Sequence, residues 1–380
     1  MLFTLEALEA KRGDCLMLHY GTAKNPQLIV IDGGPAGVFA GSLRPRLEEL
    51  KAERSPDDAL PINLLMVSHI DEDHINGVLA LVKMLTGLKA KKKERPFEIE
   101  EVWHNSFEDL TDDHAAASVA AVAAAAAAPS FNARGNQEAA MVLASVNQGR
   151  QLRDELVNLG CGVNTGFKTK LVMVRDQEKS RDMPFDPLTL TVIGPHEDRV
   201  RALQEEWAKQ VQKLGVAQAA AFADKSVFNL SSIIVLAKMG KKTMLLTGDA
   251  RGDHVLEGLE RAGLLKKGKL HVDLLKCPHH GSDRNVATEF FRAVTADNYV
   301  ISADGKHGNP DTATLQMLSE ARGDDEFTLH LTNLTLPEDE DPKRLVKFFA
   351  KEKKAGKNYE VVGRKDKALS ISVDLGDESL

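Results

Sequence analysis

Cysteine is scarce: Cys15, Cys161 and Cys277 are the only three in 380 residues. They are odd in number and far apart, which argues against a disulfide framework and for a reducing interior. No apolar run is long enough to cross a bilayer, for Ala115–Ala128 is alanine and serine with two valines, and Pro129 ends it as it would end a helix. Met1–Asp14 interleaves apolar residues with Glu6, Glu9 and Lys11 instead of the continuous apolar stretch that export needs, so it reads as a first strand. A basic excess is also lacking. With 49 Lys and Arg against 56 Asp and Glu, the net charge of −7 excludes a wide basic face that coats nucleic acid, although local basic patches stay open. There is no short-period repeat and no linker dividing the chain, so the expectation is one cytoplasmic domain with no membrane association.

What is present suits a large core, with 43% hydrophobic and 28% charged residues. Leu2–Leu8, Cys15–Tyr20 and Gln27–Asp32 predict an antiparallel meander, followed by a helix over Val38–Glu53, a buried strand over Ile62–Ser68 and a helix over His74–Leu88. Lys89–Arg95 reads as a solvated basic connector, Phe97–His104 as a strand, and Thr111–Gly160 as almost wholly helical. Strands follow at Thr169–Val174 and Leu188–Ile193, then a polar helix from His196 to about Ala219. A hairpin over Ser231–Lys238 and Lys242–Thr247 turns at Met239-Gly240-Lys241. Helices over Asp253–Ala262, Val286–Ala293 and Thr312–Ala321 then alternate with strands His271–Lys276 and Asn298–Ser302, and Ala368–Leu375 predicts a final edge strand. The economical architecture is an α/β (α+β) αββα sandwich of two mixed sheets with outer helices. Residues 1–380 are then one domain, with a mostly helical insert at about 105–165 and a charge-rich C-terminal extension at about 322–380.

Chemistry gathers where predicted strands end. Ser68-His69-Ile70-Asp71-Glu72-Asp73-His74 sets two imidazoles and three carboxylates directly after an apolar run, a donor set that suits hydrolytic divalent metals. The plain alternative is a polar turn leading into a helix, with Asp73 as its cap. Two further polar clusters, Thr247-Gly248-Asp249 and Cys277-Pro278-His279-His280-Gly281-Ser282, follow apolar strands in the same way. Cys277 itself reads as a buried strand thiol before a ligand or nucleophile.

With these elements placed, the sequence resembles the metallo-β-lactamase fold superfamily, from Cys15 to about Leu318, and most of all the soluble hydrolase domain of bacterial DNA-uptake competence proteins. Ser68–His74 matches that group's Ser-His-x-Asp-x-Asp-His, Thr247–Asp249 its Thr-Gly-Asp, and Pro278–Ser282 its Pro-His-His-Gly-Ser. The resemblance implies two divalent metal ions, Zn²⁺ or Mn²⁺ with Mg²⁺ possible. His69 and Asp71 would hold the first, Asp73, His74 and His280 the second, and Asp249 would bridge them. Asp32 resembles the aspartate that supports the metal loop by hydrogen bonding, and a turn-forming Asp-Gly-Gly is the alternative.

The sequence departs from the superfamily at Asn229, where a histidine ligand is usual, and His307 stands two positions from the customary Gly-His-Pro. His104 is a candidate for the missing nitrogen, and a structural strand-end histidine is its alternative. Two ions sharing Asp249 would activate a bridging hydroxide for in-line attack on phosphorus. Asp73 is counted with the catalytic residues, and His279 or His307 would protonate the leaving group. Asn229, Ser282 and Arg284 are the candidate substrate contacts, Arg284 because guanidinium matches phosphate oxygens, with a solvated loop arginine as the alternative. Lys306 carries a weaker form of the same claim. The expected activity is therefore that of a two-metal phosphodiesterase or nuclease acting on DNA, with nucleic acid and a protein encoded beside it as partners. A hydrolase of a lactone, thioester or cyclic nucleotide, and a non-catalytic binding partner with the same fold, are the competing expectations.

Overall fold

A computed structural model describes residues 1–106, 137–202, 205 and 231–379, with backbone alone for 137–144 and 146. Among the described residues there are sixteen strands: β1 Leu2–Leu8, β2 Leu16–Thr22, β3 Asn25–Ile31, β4 Leu60–Ile62, β5 Leu64–Val67, β6 Phe97–Ile99, β7 Val102–His104, β8 Arg181–Phe185, β9 Leu188–Gly194, β10 Ile234–Met239, β11 Lys242–Leu246, β12 Leu270–Lys276, β13 Val294–Ile301, β14 Thr328–Leu331, β15 Glu360–Gly363 and β16 Ser370–Asp374. One six-stranded sheet runs β16-β1-β2-β3-β5-β7 and an eight-stranded sheet runs β15-β14-β13-β12-β11-β10-β9-β8. Both are mixed. The β1–β2–β3 meander is antiparallel, but β3, β5 and β7 are parallel; β8 to β11 are antiparallel, but β11 to β15 are parallel.

The strand period of two divides the core into layers. Phe3, Leu5 and Ala7 of β1 share one cluster with Leu16, Leu18, Ile29 and Ile31 and, from the other sheet, Leu190, Val192, Val235, Ala237, Met244 and Leu246. That is the contact between the sheets. The alternate residues Met17, Leu28, Val30 and Leu65 pack outward on helices Arg44–Arg54, Glu72–Ala90 and Gln137–Leu159, through Leu47, Leu50, Val78, Val82, Leu152 and Leu156. On the far side Leu245, Val272, Leu275 and Tyr299 meet Val255, Leu259, Phe290, Phe291, Leu315, Leu318 and Leu345 of helices Gly252–Arg261, Thr288–Ala293, Thr312–Arg322 and Arg344–Lys354. The layers are helix, sheet, sheet, helix, as the patterning implied.

Several elements differ from expectation for local reasons. The Ile62–Ser68 strand breaks at Asn63, whose Oδ1 accepts the Leu28 N–H at 2.9 Å and whose Nδ2 donates to Glu100 at 3.0 Å. β4 therefore leaves the main sheet and pairs with β6, and the expected Phe97–His104 strand splits into β6 and β7. A π-turn, Phe39–Leu43, precedes helix Arg44–Arg54, where Pro45 has no N–H to give a regular ladder. Thr169–Val174 forms no strand, only a single bridge from Val174 to His196. Residues 322–380 supply β14 and β15 to one sheet and β16 to the other. Of the expected helical stretch 111–160, residues 111–136 lie outside the described residues, as do Asn229 and the greater part of the helix expected from His196 to Ala219.

Parallel strands in both sheets direct their carboxyl ends to one edge, where α/β proteins place ligands. Asp32 follows β3, Ser68 follows β5, Thr247 follows β11, Cys277 follows β12 and Ser302 follows β13. The two sheets are tied there by Ile233 N–H, which donates to Ser68 O at 2.8 Å, while within the larger sheet His279 N–H donates to Gly248 O at 3.2 Å. Among the described residues no helix is long and apolar enough to cross a membrane.

Candidate metal centre

The helix after β5 starts at Glu72, with Asp71 in the N-cap position and no side-chain capping bond. Neither Asp71 nor Asp73 is therefore used as a helix cap, and Glu72 turns outward to Arg12 and Asn76. The helix start is locked from below by Asp32-Gly33-Gly34. Gly33 N–H donates to His74 O at 2.7 Å, Gly77 N–H donates to Gly34 O at 3.1 Å, and a Cβ on Gly77 would stand 1.9 Å from Gly33 O. Asp32, at φ +59, is more than a turn residue: its carboxylate accepts Ser68 N–H at 2.7 Å, Ser68 Oγ–H at 2.6 Å and His74 Nδ1–H at 2.8 Å.

Four histidines converge on one carboxylate oxygen. Asp249 Oδ2 lies 3.8 Å from His69 Nε2, 3.4 Å from His74 Nε2, 3.5 Å from His279 Nε2 and 3.4 Å from His280 Nε2. Each ring is held from behind through Nδ1: His69 by Ser68 Oγ at 3.1 Å, His74 by Asp32, His279 by Asn285 Oδ1 at 2.7 Å and His280 by Ser302 O at 3.1 Å. A carbonyl or carboxylate can only accept, and the Ser68 hydroxyl hydrogen is already given to Asp32, so all four Nδ1 atoms are donors. Every inward Nε2 then presents a lone pair to an anion. His74 Nε2 and His280 Nε2 face each other at 3.2 Å in the same state. His279 and His280 reach this geometry on left-handed backbone, at φ +47 and +54, within the turn Pro278–Gly281.

Only cations resolve such an arrangement. Burial opposes an imidazolium at His280, yet Asp249 and Asp14 outweigh it and carry the pKa up to about 10. His74 is raised in the same way, burial being outweighed by Asp249 and Asp32, while Asp249 is held well below the usual carboxylate range against its own burial by His280, His279 and His74. Protons there stand in for metal. His69 Nε2 and Asp249 Oδ1 are buried and find no hydrogen-bond partner among the described residues, as metal donors would. Counting the imidazoles neutral, Asp14, Asp32, Asp71, Asp73 and Asp249 against Lys276 leave four negative charges, the charge of two divalent cations.

The donors fall into two groups about Asp249. His69 Nε2 is 3.6 Å from Asp71 Oδ2 on one side. On the other, Asp73 lies 4.0 Å from His74 Nε2 and 3.9 Å from His280 Nε2. The oxygen and nitrogen atoms present fit two hard or borderline cations. His279 is the partly exposed histidine of the four, its side chain 18% accessible, and its pKa is lowered by burial against the pull of Asp249.

Other candidates stand outside this buried group. Arg284 is exposed, in the loop just before Asn285; Ser282 is buried at the end of the His279–His280 turn, its N–H on His279 O at 2.9 Å. His307 is exposed on the turn Lys306–Gly308 at φ +62, with Lys306 exposed beside it. The His104 ring is directed to Gly149 O at 3.4 Å, toward helix Gln137–Leu159, which favours the structural alternative for that residue. Burial pushes the Cys277 thiol up to about 12, so it is an inert strand thiol. One further residue, Asp14, carries no motif in the sequence. Asp14 lies with His74, Asp249 and His280 in a group whose donor atoms are all within 4.8 Å of one another.

No family model matches the chain, and no curated protein matches it. Among solved structures, the chain is similar to CmlA, a diiron β-hydroxylase from Streptomyces venezuelae, at 12% identity and a TM-score of 0.38, over 99% of this chain and 55% of that one. It is also similar to Zn²⁺-bound PqqB from Methylobacterium extorquens, at 9% identity and a TM-score of 0.40, over 98% of this chain and 100% of that one. The chain thus spans about half the length of CmlA.

Proposed function

We propose that the chain is a metal-dependent hydrolase of the metallo-β-lactamase type that uses two divalent cations to cleave phosphodiesters, with DNA as substrate. The observation that carries this reading is the set of four Nε2 lone pairs aimed at Asp249 Oδ2, each imidazole fixed from behind by its own partner. A structural metal site is normally closed by four ligands, whereas His69, Asp71, Asp73, His74, Asp249 and His280 supply six donors around a pocket with His279 at its accessible side. Two cations held there would supply Lewis acidity toward water and toward a phosphoryl oxygen.

The side chains divide the remaining work. His69 and Asp71 would hold one cation, Asp73, His74 and His280 the other, with Asp249 between them. Asp32 and Ser68 keep His69 and His74 in the tautomer that leaves Nε2 free to bind. His279, neutral through burial and with its Nδ1–H on Asn285, has a basic Nε2 and solvent access, so it would take a proton from the attacking water and pass that proton to the departing alkoxide. Arg284, exposed in the loop beside Asn285, would meet substrate phosphate. What favours DNA is the resemblance of Ser68–His74 and Pro278–Ser282 to the competence group, and the Asp71 carboxylate where ester and lactone hydrolases of this type keep a histidine.

The test is a cleavage assay on plasmid and single-stranded DNA with the protein loaded with Mn²⁺ or Zn²⁺. Metal-dependent nicking that disappears in Asp249→Ala is expected. Hydrolysis of a cyclic dinucleotide or a lactone with DNA left intact would transfer the function to the small-molecule class.

A further inference from the structure

The turn between β1 and β2 is built into the pocket although no motif marks it. Gly13 lies so close to the metal loop that a Cβ would stand 1.8 Å from Asp73 O. Its carbonyl accepts Ser302 Oγ–H at 2.6 Å, and the Ser302 carbonyl accepts His280 Nδ1–H at 3.1 Å. Asp14, buried, shares its two oxygens between different neighbours. Oδ2 is 2.6 Å from Lys276 Nζ, while Oδ1 is 3.4 Å from His280 Nδ1 and finds no hydrogen-bond partner among the described residues. Lys276, the last residue of β12, is itself buried and also donates to Cys277 O at 3.1 Å.

A buried ion pair is a weak source of net stability, because desolvation offsets the Coulomb attraction, and a well-packed apolar pair would serve the fold as well. Its place behind His280 gives it a different use. A carboxylate on the Nδ1 side of an imidazole strengthens the Nε2 lone pair and fixes the ring plane, which a neutral carbonyl does less well. Lys276 anchors Asp14 on that side and keeps it from turning into the pocket as a further ligand. Building on the metal-centre reading above, we infer that Asp14 and Lys276 are positioning residues for the cation held by His280. The cation near His69 and Asp71 does not depend on them.

The test is a titration of chelator-stripped, full-length protein with Mn²⁺ or Zn²⁺ in competition with a chromophoric chelator. Wild-type protein should show two binding steps. Asp14→Asn should weaken one step by about 10–100-fold and leave the other unchanged. The double variant Asp14→Asn/Lys276→Met leaves no buried charge unpaired, so it carries the same test if the single variant does not fold. It should show the same selective loss. Two steps of wild-type affinity in a folded variant, or equal weakening of both, would overturn the inference. Wild-type protein that binds no cation would overturn the metal-centre reading and this inference with it, so the wild-type titration tells the two failures apart.

Discussion

His74 and His280, brought together from the two sheets, face each other Nε2 to Nε2 at 3.2 Å, with each Nδ1 proton already committed to Asp32 or Ser302. Two lone pairs at that separation repel unless a cation lies between or beside them. Bound metal should therefore stabilise the folded chain strongly. Metal at a thousandfold excess over its dissociation constant contributes about 4 kcal/mol, so saturating Mn²⁺ or Zn²⁺ should raise the melting temperature by several degrees and EDTA should reverse it. A melting curve indifferent to both would contradict the expectation.

Asp249 Oδ2 is the one atom that all four inward nitrogens share. Asp249→Asn keeps the shape and removes the charge. Turnover should fall to background, and the variant should retain at most one metal ion per chain. Elemental analysis beside the cleavage assay checks both.

Asp32 touches no inward atom, yet it holds Ser68 and His74 through three hydrogen bonds. Asp32→Asn should lower metal affinity by about 10–100-fold, with a parallel fall in turnover that added metal partly restores. If turnover falls at saturating metal with affinity intact, the orienting role assigned to Asp32 is wrong.

His279 should matter in proportion to how poor the leaving group is. His279→Ala is expected to slow DNA cleavage by about 10²–10⁴-fold while sparing a nitrophenyl phosphodiester, whose leaving group needs no proton. Equal losses on both substrates would make His279 a metal ligand instead.

Stability at low pH turns on a different cluster. Burial of Glu6 would raise its pKa, but His19, Arg46 and Ser370 outweigh burial and lower it from 4.5 to about 2. A depressed carboxylate contributes fully above its unfolded pKa and loses that contribution as pH falls through the folded one. The loss should run from about pH 4.5 down to about 2, on the order of 3 kcal/mol in all. Glu6→Gln should flatten this part of the acid-unfolding curve, measured by circular dichroism.

The layered fold was legible because β1, β2, β9 and the β10–β11 hairpin each alternate or run apolar between clear turns. β8 escaped notice because Arg181–Phe185 is half-exposed and carries Pro184, and β14 and β15 because they are four residues long in a charged region. In the pocket, His69–His74 and His279–His280 were legible because local spacing alone sets them at strand ends. Asp14 was not, since its partners His280 and Lys276 come from the other sheet. Lys276 was the available signal: a lysine directly after the buried pair Leu274-Leu275 at a strand end must find a buried anion, and the sequence does not say which. Asn285 likewise finds His279 only because the chain reverses on left-handed backbone between them.

The most direct measurement is anomalous diffraction from crystals of the protein soaked in Mn²⁺. Two peaks should flank the Asp249 carboxylate, one beside His69 and Asp71, the other beside Asp73, His74 and His280. A pocket without density at the manganese edge, its histidines paired with Asp249 through protons alone, would contradict the account.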